Sequence, residues 1–349
     1  MSSVWASSVR ADVDVLIVGG GPIGLAAAIE ARMLGLTATI IEPRSHAIDK
    51  ACGEGLMPGA LPALARLGVD PEGFPLLGVS YRSATRRVDH LFGAGSVGRG
   101  VRRTTLHAAL SERALEAGVT VVAAKVDALE QDDSGVTAAG IRARYLIAAD
   151  GLHSTVRRLA GLEKPAKSHR FGLRRHYVME PEGELIEVYW AKHAEAYVTP
   201  VGGGIVGVAV LGRSGTNFDA VVAEIPELAA RIAGRTPASS LRGAGPFRQR
   251  TTARVTGRVL LVGDASGYVD AITGEGIRVG LAEARAAIEC VATDDPAAYE
   301  RAWATASHDF RMLTAGLVAA AQSPLRGAIV PTAVALPRVF GAVVERLAR

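Results

Sequence analysis

The chain has 349 residues, of which 49% are hydrophobic and 21% charged, and its mean hydropathy is +0.22. This much apolar material can form a sizeable core and excludes an intrinsically disordered chain. The net charge is only +4 and aromatic residues make up 5%, so the clustered basic and aromatic surface of a nucleic-acid-binding protein is not expected. Two cysteines, Cys52 and Cys290, cannot form a disulfide framework, which favours a cytoplasmic protein.

The two ends of the chain carry no targeting or membrane-spanning signal. Residues 1–9 form a short, Ser-rich segment that lacks the apolar region of a signal peptide. The C-terminal part is apolar but interrupted by arginines and prolines, and its longest charge-free run, 312–325, is too short to cross a bilayer. We expect no transmembrane span, although this segment is apolar enough for peripheral contact with a membrane.

The first elements form a βαβ unit. An apolar run at 13–18 predicts a buried strand, a glycine-rich turn follows, and an Ala-rich stretch to residue 34 predicts a helix. The β-branched run 37–41 predicts the next strand. Further along, 104–117 has the pattern of an amphipathic helix, and 119–129 and 141–149 are typical of strands.

The pattern then changes to that of an antiparallel sheet. Residues 171–211 show little helical periodicity and predict strands at 185–190, 196–199 and 205–211, with a glycine hairpin loop at 202–204. Residues 218–233 predict one covering helix. The buried-strand pattern returns at 258–262, a helix follows at 275–291, and Pro296 begins another.

The glycine turn after the first strand has the spacing of a dinucleotide-binding loop. Gly19 permits a tight turn, Gly21 lets the backbone approach a pyrophosphate, and Gly24 lets helix and strand pack closely. The helix N-terminus offers unpaired N–H groups to phosphates. Glu42 ends the next strand, where an acid would bond a ribose hydroxyl.

Two later loops also follow predicted strands. Asp150-Gly151 follows the strand at 141–149, and Gly263-Asp264 follows the strand at 258–262 and leads on to Gly274 and Gly276. Ligands collect at such strand ends in α/β sheets. Together the three motifs, spanning residues 12–291, resemble the FAD-dependent flavoprotein aromatic hydroxylases (para-hydroxybenzoate hydroxylase-like) and geranylgeranyl reductases. The resemblance implies an α/β fold: a Rossmann-like FAD-binding domain of the glutathione reductase type with an inserted antiparallel β-sheet substrate domain.

The resemblance also implies a division of the chain and a set of cofactor contacts. The FAD-binding domain would comprise 10–75, 98–165 and 250–300, the substrate domain 76–97 and 166–249, and a C-terminal helical segment 301–349. Carried over residue by residue, the FAD-binding positions are Gly19, Gly21, Gly24, Glu42, Arg44, Arg103, Val126, Asp150, Gly151, Gly263, Asp264, Gly274 and Gly276. The electron donor implied is NADPH or NADH.

The motifs point to two branches of this superfamily. The run Arg174-Arg175-His176-Tyr177 resembles hydroxylases with polar substrates, whereas the loop Lys50-Ala51-Cys52-Gly53-Glu54-Gly55 resembles the reductases. The resemblance favours an NAD(P)H-dependent monooxygenase that hydroxylates or epoxidises a small organic or natural-product substrate through a peroxyflavin. One alternative is a geranylgeranyl-reductase-like flavin reductase of C=C bonds. The other is a non-catalytic prenyl-binding protein on the same fold.

Catalytic residues are only candidates at this point. Cys52 is either a thiol near the flavin or a packing residue, and His176 either orients substrate or pairs across the sheet. Tyr197 either lines a pocket or fills the core. No Cys-x-x-Cys or close His spacing suggests a metal site. The identity of the substrate, the choice between NADH and NADPH and the oligomeric state are left open.

Overall fold

The computed structural model describes residues 12–45, 49–167 and 169–348. In chain order, the strands are β1 (Val13–Val18), β2 (Ala38–Ile41), β3 (Gly55–Leu56), β4 (Phe74–Leu76), β5 (Gly78–Arg82), β6 (Arg87–Leu91), β7 (Gly98–Gly100), β8 (Thr120–Val122), β9 (Glu130–Asp132), β10 (Gly135–Ala138), β11 (Ile141–Ala148), β12 (Glu163–Lys164), β13 (Arg170–Val178), β14 (Leu185–Trp190), β15 (Glu195–Gly202), β16 (Ile205–Arg213), β17 (Arg242–Ala244), β18 (Arg250–Thr251), β19 (Val255–Thr256) and β20 (Val259–Leu261). The α-helices are α1 (Pro22–Met33), α2 (Ala60–Arg66), α3 (Arg103–Glu116), α4 (Thr155–Leu159), α5 (Phe218–Ala223), α6 (Pro226–Ile232), α7 (Gly276–Ala292), α8 (Tyr299–Gln322), α9 (Ile329–Ala335) and α10 (Pro337–Ala348).

The first sheet contains the βαβ unit and has the parallel order β20-β11-β1-β2-β8. β1, β2 and β20 are apolar runs buried on both faces, as parallel strands covered by helices must be. Helices α1, α2, α3 and α7 pack in one hydrophobic cluster with side chains of β1 and β2. The predicted α/β class is confirmed.

One predicted strand of this sheet is wrong in length. Residues 119–129 form a strand only at Thr120–Val122, because β8 is an edge strand and the chain then leaves the ladder. Ala124, Lys125 and Val126 instead line the cavity described below.

The second sheet contains seven strands in the order β17-β13-β16-β15-β14-β5-β6, antiparallel except for the β14–β5 pair. The predicted hairpin loop is present: Gly202, Gly203 and Gly204 all have positive φ, between +60° and +88°, which glycine adopts without steric cost. β5 and β6 come from residues far earlier in the chain than the other strands.

The two faces of this sheet have different neighbours because strand side chains alternate. Val198, Val208 and Val210 pack in the cluster that includes α5 and α6, whereas Tyr197 and Leu211 face the cavity. The covering segment 218–233 was predicted as one helix, and this is wrong. The helix breaks after α5, because Pro226 has no N–H for a continuing helix and instead begins α6.

The C-terminal helices complete the fold. α8 packs against α7, and α10 packs on β6 and contacts Tyr81 through the ring of Phe340. Among the described residues, no single helix has the length and apolar composition to span a bilayer. The segments Pro324–Ala335 and Pro337–Ala348, bent by 102°, meet those criteria only as a pair.

Candidate functional site

The carboxyl ends of β1, β2, β11 and β20 open onto one cavity of about 650 Å³. It brings together most of the residues predicted from the motifs: Gly19, Gly21, Glu42, Cys52, Arg44, Arg103, Val126, Asp150, Gly151, Tyr197, Gly263, Asp264, Gly274 and Gly276. Two predicted residues, Gly24 and His176, do not line it. Gly24 packs beneath the first loop, and His176 lies behind the cavity wall.

The first loop needs glycine for three different reasons. Gly19 has φ +107°, in the left-handed region that favours glycine. A Cβ on Gly24 would lie 1.9 Å from the carbonyl oxygen of Gly19, so helix and strand could not approach each other. Gly21 faces open space at the N-terminus of α1, where unpaired N–H groups can receive an anion.

Glu42 lies beside this loop, at the end of β2. Its carboxylate accepts hydrogen bonds from the N–H of Gly20 at 2.9 Å and from Nε of Arg44 at 2.7 Å. Burial alone would raise the pKa of Glu42, but these donors hold it below its ordinary value. Arg44 is half-exposed and occupies the outer side of the carboxylate, so a ribose hydroxyl could bond Glu42 once Arg44 turned away.

Three polar atoms of cavity-lining residues have no partner in the described parts of the chain. Oδ1 of Asp150 and the Nε atoms of Arg103 and Arg174 are buried without a hydrogen bond. The other oxygen of Asp150 accepts from the N–H of Val156 at 3.1 Å, and burial raises the pKa of this carboxyl. Buried donors and a buried acceptor left unsatisfied around one cavity are typical of a ligand site.

The third motif lies beside the Asp150 loop, because β20 and β11 are neighbouring parallel strands. Oδ2 of Asp264 lies 3.4 Å from Nζ of Lys50 at the cavity wall. Gly263 has φ +60°, and its N–H donates to the buried carboxyl of Glu283 at 2.7 Å. Gly274 and Gly276 both line the cavity, and Gly276 begins α7. The N–H of Gly274 donates to the carbonyl of Ala271 at 3.1 Å, so the donors that can meet a ligand here are the N–H groups of the first turn of α7.

Glu283 makes the free energy of unfolding depend on pH. Burial raises its pKa to about 8, whereas an unfolded glutamate titrates near 4.5. The folded state therefore holds more protons between those values, and the free energy of unfolding falls as pH rises through that window, by on the order of 1 kcal/mol per pH unit.

We expect Glu283→Gln to remove most of this slope in urea unfolding at pH 6 to 8. Glu289→Gln, an exposed position on the same helix, should leave the slope unchanged; equal slopes in Glu283→Gln and the parent protein would contradict the assignment.

A buried acid–base pair, Glu54 and His176, lies at the substrate side of the cavity, with Glu54 at the wall and His176 behind it. Glu54 has φ +60°, an uncommon conformation for a residue other than glycine, and lines the cavity with its side chain almost fully buried. Its Oε2 lies 2.5 Å from Nε2 of His176, and its Oε1 accepts from the N–H of Arg103 at 2.8 Å. Nδ1 of His176 lies 3.0 Å from a guanidinium nitrogen of Arg174.

The tautomer of His176 follows from these contacts. A guanidinium can only donate, so Nδ1 accepts and the ring proton sits on Nε2, where it donates to Glu54. Arg174 is itself paired with Asp49. Both oxygens of Glu54 are thus held by N–H donors, which orients the carboxylate at the cavity wall.

The remaining candidates have simpler surroundings. Cys52 is partly buried at the cavity wall, and its Sγ lies 3.5 Å from the N–H of Glu54. Tyr197 donates to the carbonyl of Ile272 at 2.9 Å, and burial raises the pKa of its hydroxyl well above 10. Cys290 is buried in the helical core.

Sequence reasoning missed four residues of this site: Glu54, Lys50, His107 and Glu283. Glu54 and Lys50 stood in a glycine-rich loop, where an acid flanked by two glycines was a usable signal. His107 and Glu283 lie within regular helices. His107 contacts Gly20 and Glu283 contacts Gly263 only because folding brings these segments together. Their positions in amphipathic helices carried no signal.

The fold is that of a two-sheet α/β protein with one large cavity lined by residues of both sheets. The FAD binding domain family matches residues 12–293. The chain therefore belongs to that family of FAD-dependent oxidoreductases.

Individual relatives show how the family's activities divide. A menaquinone reductase of Mycolicibacterium smegmatis is 26% identical, over 84% of this chain and 79% of its own. The protoasukamycin 4-monooxygenase of Streptomyces nodosus subsp. asukaensis is 28% identical, over 83% of each chain. A solved flavoprotein/dehydrogenase of Cytophaga hutchinsonii superposes with a TM-score of 0.84 at 19% identity, covering 96% of this chain and 92% of its own.

Proposed function

We propose that this protein is an FAD-dependent monooxygenase that takes electrons from NADH or NADPH and oxygenates an apolar small molecule bearing a hydroxyl group. The observation that carries the proposal is the continuity of the cavity. One end is formed by the three motif loops, and the other by apolar side chains of the second sheet and α10. A relative described as a monooxygenase matches across both parts of the chain.

The cofactor end offers groups that fit FAD. The pyrophosphate would lie at Gly21 and the α1 N-terminus, with Arg103, whose Nε has no hydrogen-bond partner among the described residues, as its counter-charge. Glu42 would bond the adenosine ribose, and Asp264 the ribityl chain in place of its contact with Lys50. The first turn of α7, which begins at Gly276, would present N–H groups to the flavin. Bound FAD would supply the electron transfer from NAD(P)H to oxygen, which protein side chains cannot perform.

The substrate end selects for apolar molecules and excludes water. Its walls include Val79 and Val188 from the sheet and Leu347 from α10, and they contain few charged groups. Burial of such a substrate is favourable by about 25 cal/mol per Å² of apolar surface. Water exclusion also protects the reduced cofactor from side reactions.

Glu54 is the general base in this proposal. Its carboxylate lines the cavity and is fixed by the Nε2–H of His176 and the N–H of Arg103. It would accept the proton of a substrate hydroxyl, which makes an aromatic ring more electron-rich for oxygen transfer. His176 is a positioning residue, since it acts through Glu54 and does not line the cavity.

A C=C or quinone reductase is the second candidate. Cys52 at the cavity wall favours it, since a thiol there could deliver the proton that accompanies hydride transfer, and a relative is described as a menaquinone reductase. We expect Cys52→Ala to bind FAD normally and to reduce 1,4-naphthoquinone anaerobically with the turnover of the parent protein. A loss of that turnover by more than about 100-fold would indicate the reductase instead.

The activity itself is tested with purified protein and three probes. FAD binding is measured by absorbance, then NADH or NADPH is added in ¹⁸O₂ with 2-naphthol as an apolar phenol. Incorporation of ¹⁸O into product supports the monooxygenase. Anaerobic reduction of geranylgeraniol or naphthoquinone without oxygen incorporation supports the reductase, and a protein that takes up no FAD supports a non-catalytic binding protein.

A further inference from the structure

The outer surface of α10 is apolar although it is exposed. Val339 and Val343, 57% and 39% exposed, are four residues apart and form one stripe along the helix, and Leu336, 51% exposed, directly precedes the helix. The opposite side of α10 is also apolar, and there Phe340 and Val344 are buried against the protein. The outer stripe therefore has no partner within the described part of the chain. We call it the C-terminal apolar face.

Other C-terminal segments also expose apolar side chains. Of the fifteen large apolar side chains exposed in the described residues, six lie between positions 312 and 343. Besides the stripe and Leu336 these are Met312, Leu325 and Val334, which are 63%, 71% and 37% exposed. Single exposed apolar residues are ordinary, but a concentration of them marks a binding surface.

Two exposed arginines border the C-terminal apolar face. Arg346 pairs with the carboxylate of Asp309, whereas Arg338 forms no ion pair with a described residue and supplies the uncompensated positive charge. Glu345 is the one acidic residue between positions 312 and 348. Its carboxylate is turned inward, where it accepts from the N–H of Gly93 at 2.8 Å and lies 3.0 Å from Nε2 of His90.

We propose that the C-terminal apolar face docks on the surface of an anionic lipid membrane. Aliphatic side chains without hydrogen-bonding groups, bordered by arginines, match a surface that offers hydrocarbon just below a layer of phosphates. A protein partner, including a second copy of this chain, would have to present an acidic apolar surface to the same face. The lipid bilayer supplies both properties together.

Docking there would place the membrane next to the substrate cavity. Val344 and Leu347, on the inner side of α10, line the cavity, while Val339 and Val343 on the outer side would contact lipid. An apolar substrate could then pass from the bilayer along α10 without crossing water. This delivery step rests on the proposed function, whereas the docking itself does not.

Flotation of the FAD-loaded protein with lipid vesicles tests the docking. Vesicles of phosphatidylglycerol and phosphatidylcholine in equal parts are compared with phosphatidylcholine alone. We expect binding to the mixed vesicles, a decrease of about tenfold or more for the double variant Val339→Ser/Val343→Ser, and weaker binding for Arg338→Glu on the mixed vesicles only. Leu115→Ser, an exposed apolar position on α3, is the matched control and should bind like the parent protein.

Three results would overturn the docking proposal. These are no flotation of the parent protein, equal flotation of the double variant, or a dimer in light scattering that the double variant abolishes, since that dimer would make the face an interface between two copies. FAD absorbance and the melting temperature establish that each variant is folded. Turnover of 2-naphthol in solution is measured separately, so a failure of the proposed activity leaves the flotation result readable.

Discussion

Replacing Glu54 by Gln is expected to lower the turnover of a phenolic substrate by about 100-fold or more at neutral pH. The amide cannot accept the hydroxyl proton, so the substrate reacts only when it has already lost that proton in solution. Turnover by the variant should therefore recover as pH approaches the substrate's own pKa. The measurement is the pH profile of kcat with 2-naphthol, together with FAD content.

The structural cost of this substitution is controlled by a second variant. Both oxygens of Glu54 accept from N–H donors, so Gln leaves one donor facing an NH₂ group, at about 1–3 kcal/mol. Glu187 on β14 is also buried, accepts from Tyr189 and pairs with Arg82, but does not line the cavity. Glu187→Gln should lose stability and keep the parent pH profile. An unchanged profile in Glu54→Gln would remove Glu54 from the reaction.

Two glycine substitutions in the first loop are expected to separate cofactor binding from folding. Gly21 has extended backbone that any residue adopts, and a Cβ there meets open space. Gly21→Ala should therefore melt like the parent without FAD. It should bind FAD on the order of tenfold or more weakly, about 1.4 kcal/mol, because the methyl group occupies the pyrophosphate position.

Gly24→Ala should lose both thermal stability and FAD binding. Its Cβ would lie 1.9 Å from the carbonyl oxygen of Gly19, which belongs to the backbone and cannot move aside. We expect a loss of stability of about 1–3 kcal/mol or more together with loss of FAD binding. Fluorescence titration with FAD and thermal unfolding of the FAD-free protein are the measurements.

Gly183→Ala, where a Cβ also meets open space, is the control for both glycine variants. Tight FAD binding by Gly21→Ala would show that the pyrophosphate does not approach this loop. Normal melting of Gly24→Ala would show that the helix can move away from the strand. Either result would contradict this arrangement of the loop.

Much of the fold was predictable because its signals are local. The run at β1, the glycines after it and the β-branched run at β2 each depend on a few neighbouring residues, and burial of both faces explains their composition. The hairpin between β15 and β16 followed from three consecutive glycines that adopt positive φ. The break between α5 and α6 was missed because the apolar pattern continued across Pro226.

By itself, then, the sequence determined the α/β class, the three motif loops and the resemblance to FAD-dependent enzymes. Only the tertiary structure placed Glu54 against His176, 122 residues away, and Lys50 against Asp264, 214 residues away. It also left Val339 and Val343 on the outer side of α10 partly exposed among the described residues. The physical reason is that motifs arise from short-range backbone requirements, whereas an acid–base pair or an exposed face depends on which distant elements pack together.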